Sequence, residues 1–244
     1  FGCGDFALNR RLGSAGGVKY FKATSCTLFR FQLPAALYKC TALRTFICTA
    51  SSNVNYRQIK LSKLPPTLPR LEIFCLGAYN CLWDLHNSDP MDPKPLNLKA
   101  MFPSLQHLRV GTAFSDVLAN LLPVLPSTLL TFNASDGLGP HHIALIPRSV
   151  TDLNLRVYEK DPSDNHMDKI DFPPFLASLT VQFRTESGAR KAMPNLPSTV
   201  TMLEVWLHDS SYLPPDLFAV LPPNMVTLHA NVDQPTEAFF KALP

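Results

Sequence analysis

Cys75, Cys81 and His86 form a C-x5-C-x4-H pattern, the arrangement in this chain closest to a soft-metal site. Structural zinc sites hold their thiolate pairs about two to four residues apart, so that one turn presents both sulfurs to a tetrahedral ion. The wider spacing here, with no evident fourth ligand, argues against zinc. GSAGGVK (13–19) has the glycines of a phosphate loop, but Val18 precedes Lys19 and Tyr20 follows it. The Gly-Lys-Ser/Thr that opens such a helix is missing, so this stretch reads as a turn. Asp161, Asp164, Asp168 and Asp171 gather in EKDPSDNHMDKID (159–171), without a central glycine and with Lys160 and Lys169 interleaved. A calcium loop needs that glycine, and the lysines compete with a cation, so a solvated loop is expected. His141-His142 follow Gly139-Pro140 and read as surface residues of a turn. H-E-x-x-H and G-x-S-x-G do not occur. No acid, base and nucleophile can be named together, so neither catalysis, nor a metal, nor a cofactor is expected.

All six cysteines, Cys3, Cys26, Cys40, Cys48, Cys75 and Cys81, fall in the first third of the chain. Clustered, even-numbered cysteines permit an oxidised N-terminal cap, as in a secreted protein. The ordinary reading is reduced, buried thiols behaving as small apolar side chains, with Cys48 at a core site of a strand. That reading suits an intracellular setting. The composition is that of a folded chain: 46% of the 244 residues are apolar and 17% are charged. A net charge of +3, with the basic residues scattered, does not suggest nucleic acid as the partner. No apolar run approaches the ~20 residues of a membrane span. The opening FGCGDF has neither an initiator Met nor a signal-like pattern, which suggests a processed product or fragment.

The elements that organise these residues are written in a repeated phrase. LPPTLPRLEIF begins at Leu64, FPSLQHLRV at Phe102, LPSTLLTFNA at Leu125 and IPRSVTDLNL at Ile146. FPPFLASLTV follows at Phe172, LPSTVTMLEV at Leu196 and LPPNMVTLHA at Leu221. Prolines 126, 147, 173, 197, 222 and 244 stand 21, 26, 24, 25 and 22 residues apart, a period characteristic of stacked repeats. Each copy reads apolar-Pro-x-x-L-x-x-L-x-L. Its last apolar sites, such as Val150, Leu153 and Leu155, point inward from a short strand and the bend before it, and alternation sends the others outward. Proline suits the approach to the strand, where its missing N–H costs the ladder nothing. The NAS at 133–135 falls within such a strand, so a glycan there is discounted.

The expected fold is an α/β solenoid with one parallel sheet and short helical or 3-10 turns on the opposite side. Strands are expected at Leu71–Ile73, Leu108–Val110, Phe132–Ala134, Leu153–Leu155, Leu179–Val181, Leu203–Val205 and Leu228–Ala230. Residues 1–60 read as an irregular cap or degenerate repeats, although ALRTFIC (42–48) fits the strand phrase. Repeats are expected over 61–244, with an enlarged coil at 77–101 carrying Trp83 and a loop at 156–171. Pro65 to Pro103 spans 38 residues, and the excess is expected to protrude.

The phrase resembles the leucine-rich-repeat superfamily. IPRSVTDLNL is similar to the FNIP repeat, a variant known chiefly from amoeboid protists, and LPPTLPRLEI to the Leu-Pro-rich repeats of bacterial effectors. The resemblance covers roughly 60–244 well and 20–60 poorly. The Asn that many such repeats place three residues after the last strand Leu is absent; Leu76, Ala113, Gly137, Tyr158, Arg184, His208 and Asp233 stand there instead. Superfamily members mostly bind proteins, so the resemblance implies a non-catalytic interaction module. Two alternatives are the recognition part of a multidomain enzyme such as a ubiquitin ligase, and an extracellular ligand-binding ectodomain.

The frame assigns a ladder of side chains to the concave face. Its members are Arg70, Glu72 and Phe74, then His107 and Arg109, then Thr131 and Asn133, then Asp152, Asn154 and Arg156. Ser178, Thr180 and Gln182 continue it, followed by Met202, Glu204 and Trp206, and by Thr227, His229 and Asn231. Eight or nine strands ~4.8 Å apart make an arc of roughly 40 Å, a span suited to a protein or peptide. Arg156, Met202 and Trp206 are of types enriched at interface hot spots. Trp206 either anchors a partner or stacks on Met202 and His229. At the other end, Phe239, Phe240 and Leu243 open a further coil, for which more chain or a neighbouring subunit is the expected cover.

Overall fold

The computed structural model describes residues 19–26, 41–50, 59–60, 68–77, 83–84, 97–110, 120–157, 170–208 and 212–232. The chain divides into two compact units, Phe1–Leu129 and Leu130–Pro244, each built on one repeated hydrogen-bonding step.

In the first unit the Lys19 carbonyl accepts the N–H groups of Arg44 and Thr45, at 2.8 and 3.1 Å. The Arg44 carbonyl accepts those of Glu72 and Ile73, and the Glu72 carbonyl those of Gln106 and His107. In the second unit Leu130 serves Thr151 and Asp152 in the same way, Thr151 serves Ala177 and Ser178, Ala177 serves Thr201 and Met202, and Thr201 serves Val226 and Thr227. A carbonyl oxygen has two lone pairs, so one acceptor can satisfy two successive donors. Positions 19, 44, 72 and 106 are 25, 28 and 34 residues apart; 130, 151, 177, 201 and 226 are 21, 26, 24 and 25 apart. Each step therefore advances the chain by one repeat.

Past each of these steps runs a short strand. The first unit holds β1 (Tyr20–Cys26), β2 (Thr45–Ala50), β3 (Ile59–Lys60), β4 (Ile73–Gly77), β5 (Trp83–Asp84) and β6 (His107–Val110). Strands β1, β2, β4 and β6 pair in that order, all parallel, and β3 pairs with β5 as a separate short parallel couple. The second unit holds β7 (Thr131–Leu138), β8 (Asp152–Val157), β9 (Ser178–Phe183), β10 (Met202–Leu207) and β11 (Thr227–Ala230). These also pair in sequence order and in parallel. Alternation along β8 to β10 buries every second side chain: Leu153, Leu155, Val157, Leu179, Val181, Phe183, Leu203 and Val205 are essentially closed to solvent. Each such aliphatic or aromatic side chain contributes about 1.5–3 kcal/mol by leaving water.

Parallel strands need a crossover, and here it is short. Helix α1 (Leu98–Met101) starts at Asn97, whose side chain accepts the Ala100 N–H at 3.1 Å. Helix α2 (Pro140–Ile143) starts on a proline, and α3 (Glu186–Ala192) starts at Thr185, whose hydroxyl accepts the Gly188 N–H. Single 3-10 segments occupy Leu122–Val124, Met193–Asn195 and Pro215–Val220, each with proline near its start, where no N–H is required. Their buried residues include Leu98, Met101, Leu122, Ile143, Ala189, Met193, Leu217 and Phe218.

The first-unit register corrects the sequence frame at one repeat. Ile73 pairs with His107 and Phe74 with Leu108, so the phrase begins at Leu68-Pro69 and not at Leu64-Pro65. Strand β4 accordingly runs Ile73–Gly77, later than the expected Leu71–Ile73. Leu71 is instead the buried residue of the bend, equivalent to Leu105, and the step to the next phrase (Pro69 to Pro103) is 34 residues. The remaining expected strand centres lie within β6 to β11. Strands β1 and β2 carry the ladder back to residue 20, with ALRTFIC supplying the buried Leu43 and Phe46. Of the expected loop at 156–171, Arg156 and Val157 belong to β8, and residues 158–169 lie outside the described set. Of the enlarged coil at 77–101, Trp83–Asp84 is paired with Ile59–Lys60, and 78–82 and 85–96 lie outside the described residues.

A polar side chain joins successive repeats just before the bend. Ser104 Oγ donates to the Pro69 carbonyl at 2.7 Å. Thr128 Oγ1 reaches the carbonyls of Pro103 and Leu105, Thr199 Oγ1 those of Pro174 and Leu176, and Asn224 Nδ2 that of Ser198. This staple ties carbonyls of the preceding repeat, in a chain that lacks the Asn of many leucine-rich repeats. Phe175 occupies the same position in its repeat and is 66% exposed, with no polar group to donate.

Candidate functional site

Because β8 to β10 bury the same alternate positions, and β7 and β11 pair alongside them, the others line one face of the ladder, and the register sorts them into rows. One row is Thr131, Asp152, Ser178, Met202 and Thr227. The next is Asn133, Asn154, Thr180, Glu204 and His229. The third is Gly137, Arg156, Gln182 and Trp206. All the second-unit ladder residues expected from the sequence up to His229 therefore share this face. Asn231 directly follows β11, is exposed, and its carbonyl accepts the Leu213 N–H at 2.9 Å.

The rows differ in charge. Asp152 stands exposed in the first, and a half-buried Glu204 stands in the second, where its Oε2 accepts the Thr180 hydroxyl at 3.2 Å. The third carries Arg156, exposed and, among the described residues, outside any ion pair or hydrogen bond. Its setting comes from an irregularity in β7. Asn133 pairs with Asn154, but Gly137 pairs with Arg156, so three residues, 134–136, stand against Leu155 alone, two more than the register needs. A glycine, itself buried, thus stands beside Arg156 on one side. Gln182 flanks it on the other.

Trp206 is half-buried, and Met202 is 45% exposed. They stand four residues apart on one strand, β10. Met202 pairs with Ser178 and Thr227, and Trp206 with Gln182, four residues on, about 13 Å along the strand. His229 pairs with Glu204, one row from Trp206. Stacking of Trp206 on Met202 is therefore not available. Two positions missed by the sequence frame extend the edge beyond the third row: the Arg184 N–H donates to the Val157 carbonyl and the His208 N–H to that of Phe183. Their ladder hydrogen bonding could have been inferred by continuing the alternation past the last buried residue.

In the first unit, His107 is half-buried and Arg109 exposed on the outward positions of β6. The corrected frame moves the neighbouring residues. Ile73 and Cys75 are in register with His107 and Arg109, whereas Phe74 is in register with the buried Phe46 and Leu108. Arg70 lies exposed in the turn before Leu71, and Glu72 lies in the bend, where its Oε1 accepts from Arg44 Nη1 at 3.3 Å. Arg70, Glu72 and Phe74 thus do not sit at the outward strand positions expected of them. The tandem Leu-Pro at 68–69 was the signal that could have found this.

The chemistry-bearing motifs stay apart. His141 is exposed and His142 half-buried on α2, their ring centroids 3.8 Å apart; a Cβ on Gly139 would come within 2.9 Å of His141 Cε1, so the missing side chain permits the approach. Among the described residues no group of three or more His, Cys, Asp or Glu could hold a metal ion. Cys81, His86, the carboxylates Asp161, Asp164 and Asp168, and the glycines of 13–17 lie outside the described residues, as do Phe239, Phe240 and Leu243. Cys48 stands in register with Leu76. No helix among the described residues is long and apolar enough to cross a membrane.

No protein-family model matches the chain, and no curated protein does. Among solved structures, the leucine-rich repeat-containing protein LegL7 from Legionella pneumophila is similar over 91% of this chain and 77% of its own, with 17% identity and a TM-score of 0.45. A likeness at that level carries no inference about role, and the repeat architecture rests on the ladder geometry.

Proposed function

We propose that this chain is a non-catalytic interaction module of leucine-rich-repeat type, a solenoid that binds a protein or peptide on the open face of its parallel sheet. The observation that carries this reading is the third row of the second unit, where Arg156, unpaired among the described residues, and a half-buried Trp206 flank Gln182 on a surface whose other members are mostly polar. Arg and Trp are the types that dominate interface energetics, and a flat run of short polar side chains excludes water around them without obstructing approach. The likeness of the repeat phrase to leucine-rich repeats supports the same class of partner.

Site-specific photo-crosslinking tests the reading. With benzoylphenylalanine in place of Gln182, a native partner is expected to crosslink; with the same group in place of Ala144, beside α2, it is not. Trp206→Ala is expected to weaken that partner's binding by about 2 kcal/mol or more with folding unchanged. Full binding by the double variant Trp206→Ala, Arg156→Ala would move the site to the helical side or an edge loop.

A further inference from the structure

We infer that the third row takes an extended acidic segment, with a carboxylate on Arg156 and an apolar or proline side chain on Trp206; this rests on the open-face reading above. Arg156 pairs with Gln182 and Gln182 with Trp206, so the two anchors lie two strand spacings apart, about 9.6 Å. A polyproline II segment has three residues per turn and rises ~3.1 Å per residue, so residues i and i+3 project on one side about 9.3 Å apart. A β-strand places same-side residues about 6.8 Å apart and does not match. Lying across the strands, such a segment meets a cation, then an amide, then an indole.

Charge sets the row and the sign of the ligand. Arg156 is exposed and, among the described residues, has no carboxylate against it, and a guanidinium in that state favours a bidentate carboxylate from outside. Asp152 and Glu204 occupy the other two rows and repel an acidic segment placed there. Gly137, in register with Arg156, adds no side chain of its own to that end of the row. Trp206, half-buried, offers part of its surface to a proline or aliphatic side chain.

Selection from a displayed library of random 12-residue peptides on the whole chain tests this. Enriched peptides are expected to carry Asp or Glu three residues from a proline or apolar residue, in either direction. Arg156→Ala and Trp206→Ala are each expected to cut their binding at least tenfold, and Arg156→Lys to restore part of it. Enriched peptides that depend on Trp206 but have no acidic requirement would overturn the acidic assignment and leave the open-face reading standing. Enriched peptides indifferent to both residues would overturn both. No enrichment at all would also overturn the acidic-segment inference, while the crosslinking experiment tests the open face separately.

Discussion

Thr199 donates its hydroxyl to the Leu176 carbonyl at 2.7 Å, joining two successive repeats just ahead of their strands. The same hydroxyl lies 3.1 Å from the Pro174 carbonyl, so one side chain serves two acceptors of the preceding repeat. Thr199→Val keeps the shape and removes the donor. It is expected to destabilise the fold by about 1 kcal/mol, measured by urea denaturation. An unchanged midpoint would show that the staple contributes nothing.

Phe175 sits where Thr128 and Thr199 sit in neighbouring repeats, and it is 66% exposed. Phe175→Thr supplies the missing donor toward the carbonyls of Arg148 and Val150 and removes an exposed aromatic ring. A gain of about 0.5–1 kcal/mol is expected. A lower melting temperature in this variant would mean that the ring packs on something the staple geometry does not reveal.

Adjacent residues on β8 should respond very differently. Leu153 is fully buried, and Leu153→Ala is expected to cost about 2–5 kcal/mol. Asn154 faces outward in the second row, and Asn154→Ala is expected to change stability by no more than about 0.5 kcal/mol. Comparable losses at both sites would contradict the assignment of inward and outward faces.

Arg190 ties α3 to the Pro215–Val220 turn. Its Nη1 and Nη2 donate to the Asp216 carboxylate at 2.5 and 3.3 Å, and its Nε donates to Glu186 Oε1 at 2.6 Å. The hydrogen bond from Arg190 is the main cause holding the Asp216 carboxyl below its ordinary 3.8. A lowered folded value stabilises the protein above the unfolded value and ceases to do so as pH falls through the folded one. Wild type is therefore expected to exceed Asp216→Asn in stability at pH 6, with the difference closing as the pH is taken well below 3.8. A difference that persists in strong acid would rule out this origin. The pair is solvent-exposed, so the effect at pH 6 is expected to shrink in high salt.

How far the fold could be read before the structure varied along the chain. From Leu125 onward, one apolar-Pro pair and two alternating apolar residues per copy were enough to place Leu153, Leu179 and Leu203 inside and Asn154, Thr180 and Glu204 outside. Burial of apolar surface and the two-residue period of a strand leave no other arrangement for those residues. The phrase at 64–76 was different, because Leu64-Pro65 and Leu68-Pro69 both fit it locally. Only pairing with Arg44 on one side and with Gln106 and His107 on the other selects the second.

The outward residues of the candidate surface were legible one strand at a time, since alternation is a local property of the chain. Which of them are neighbours was not. Arg156 meets Gln182 through the β8–β9 register, and it meets Gly137 because three residues of β7, 134–136, stand against Leu155 alone. Local periodicity thus settled which side chains face out, while hydrogen-bond register between segments some 20 or more residues apart decided which of them can act together.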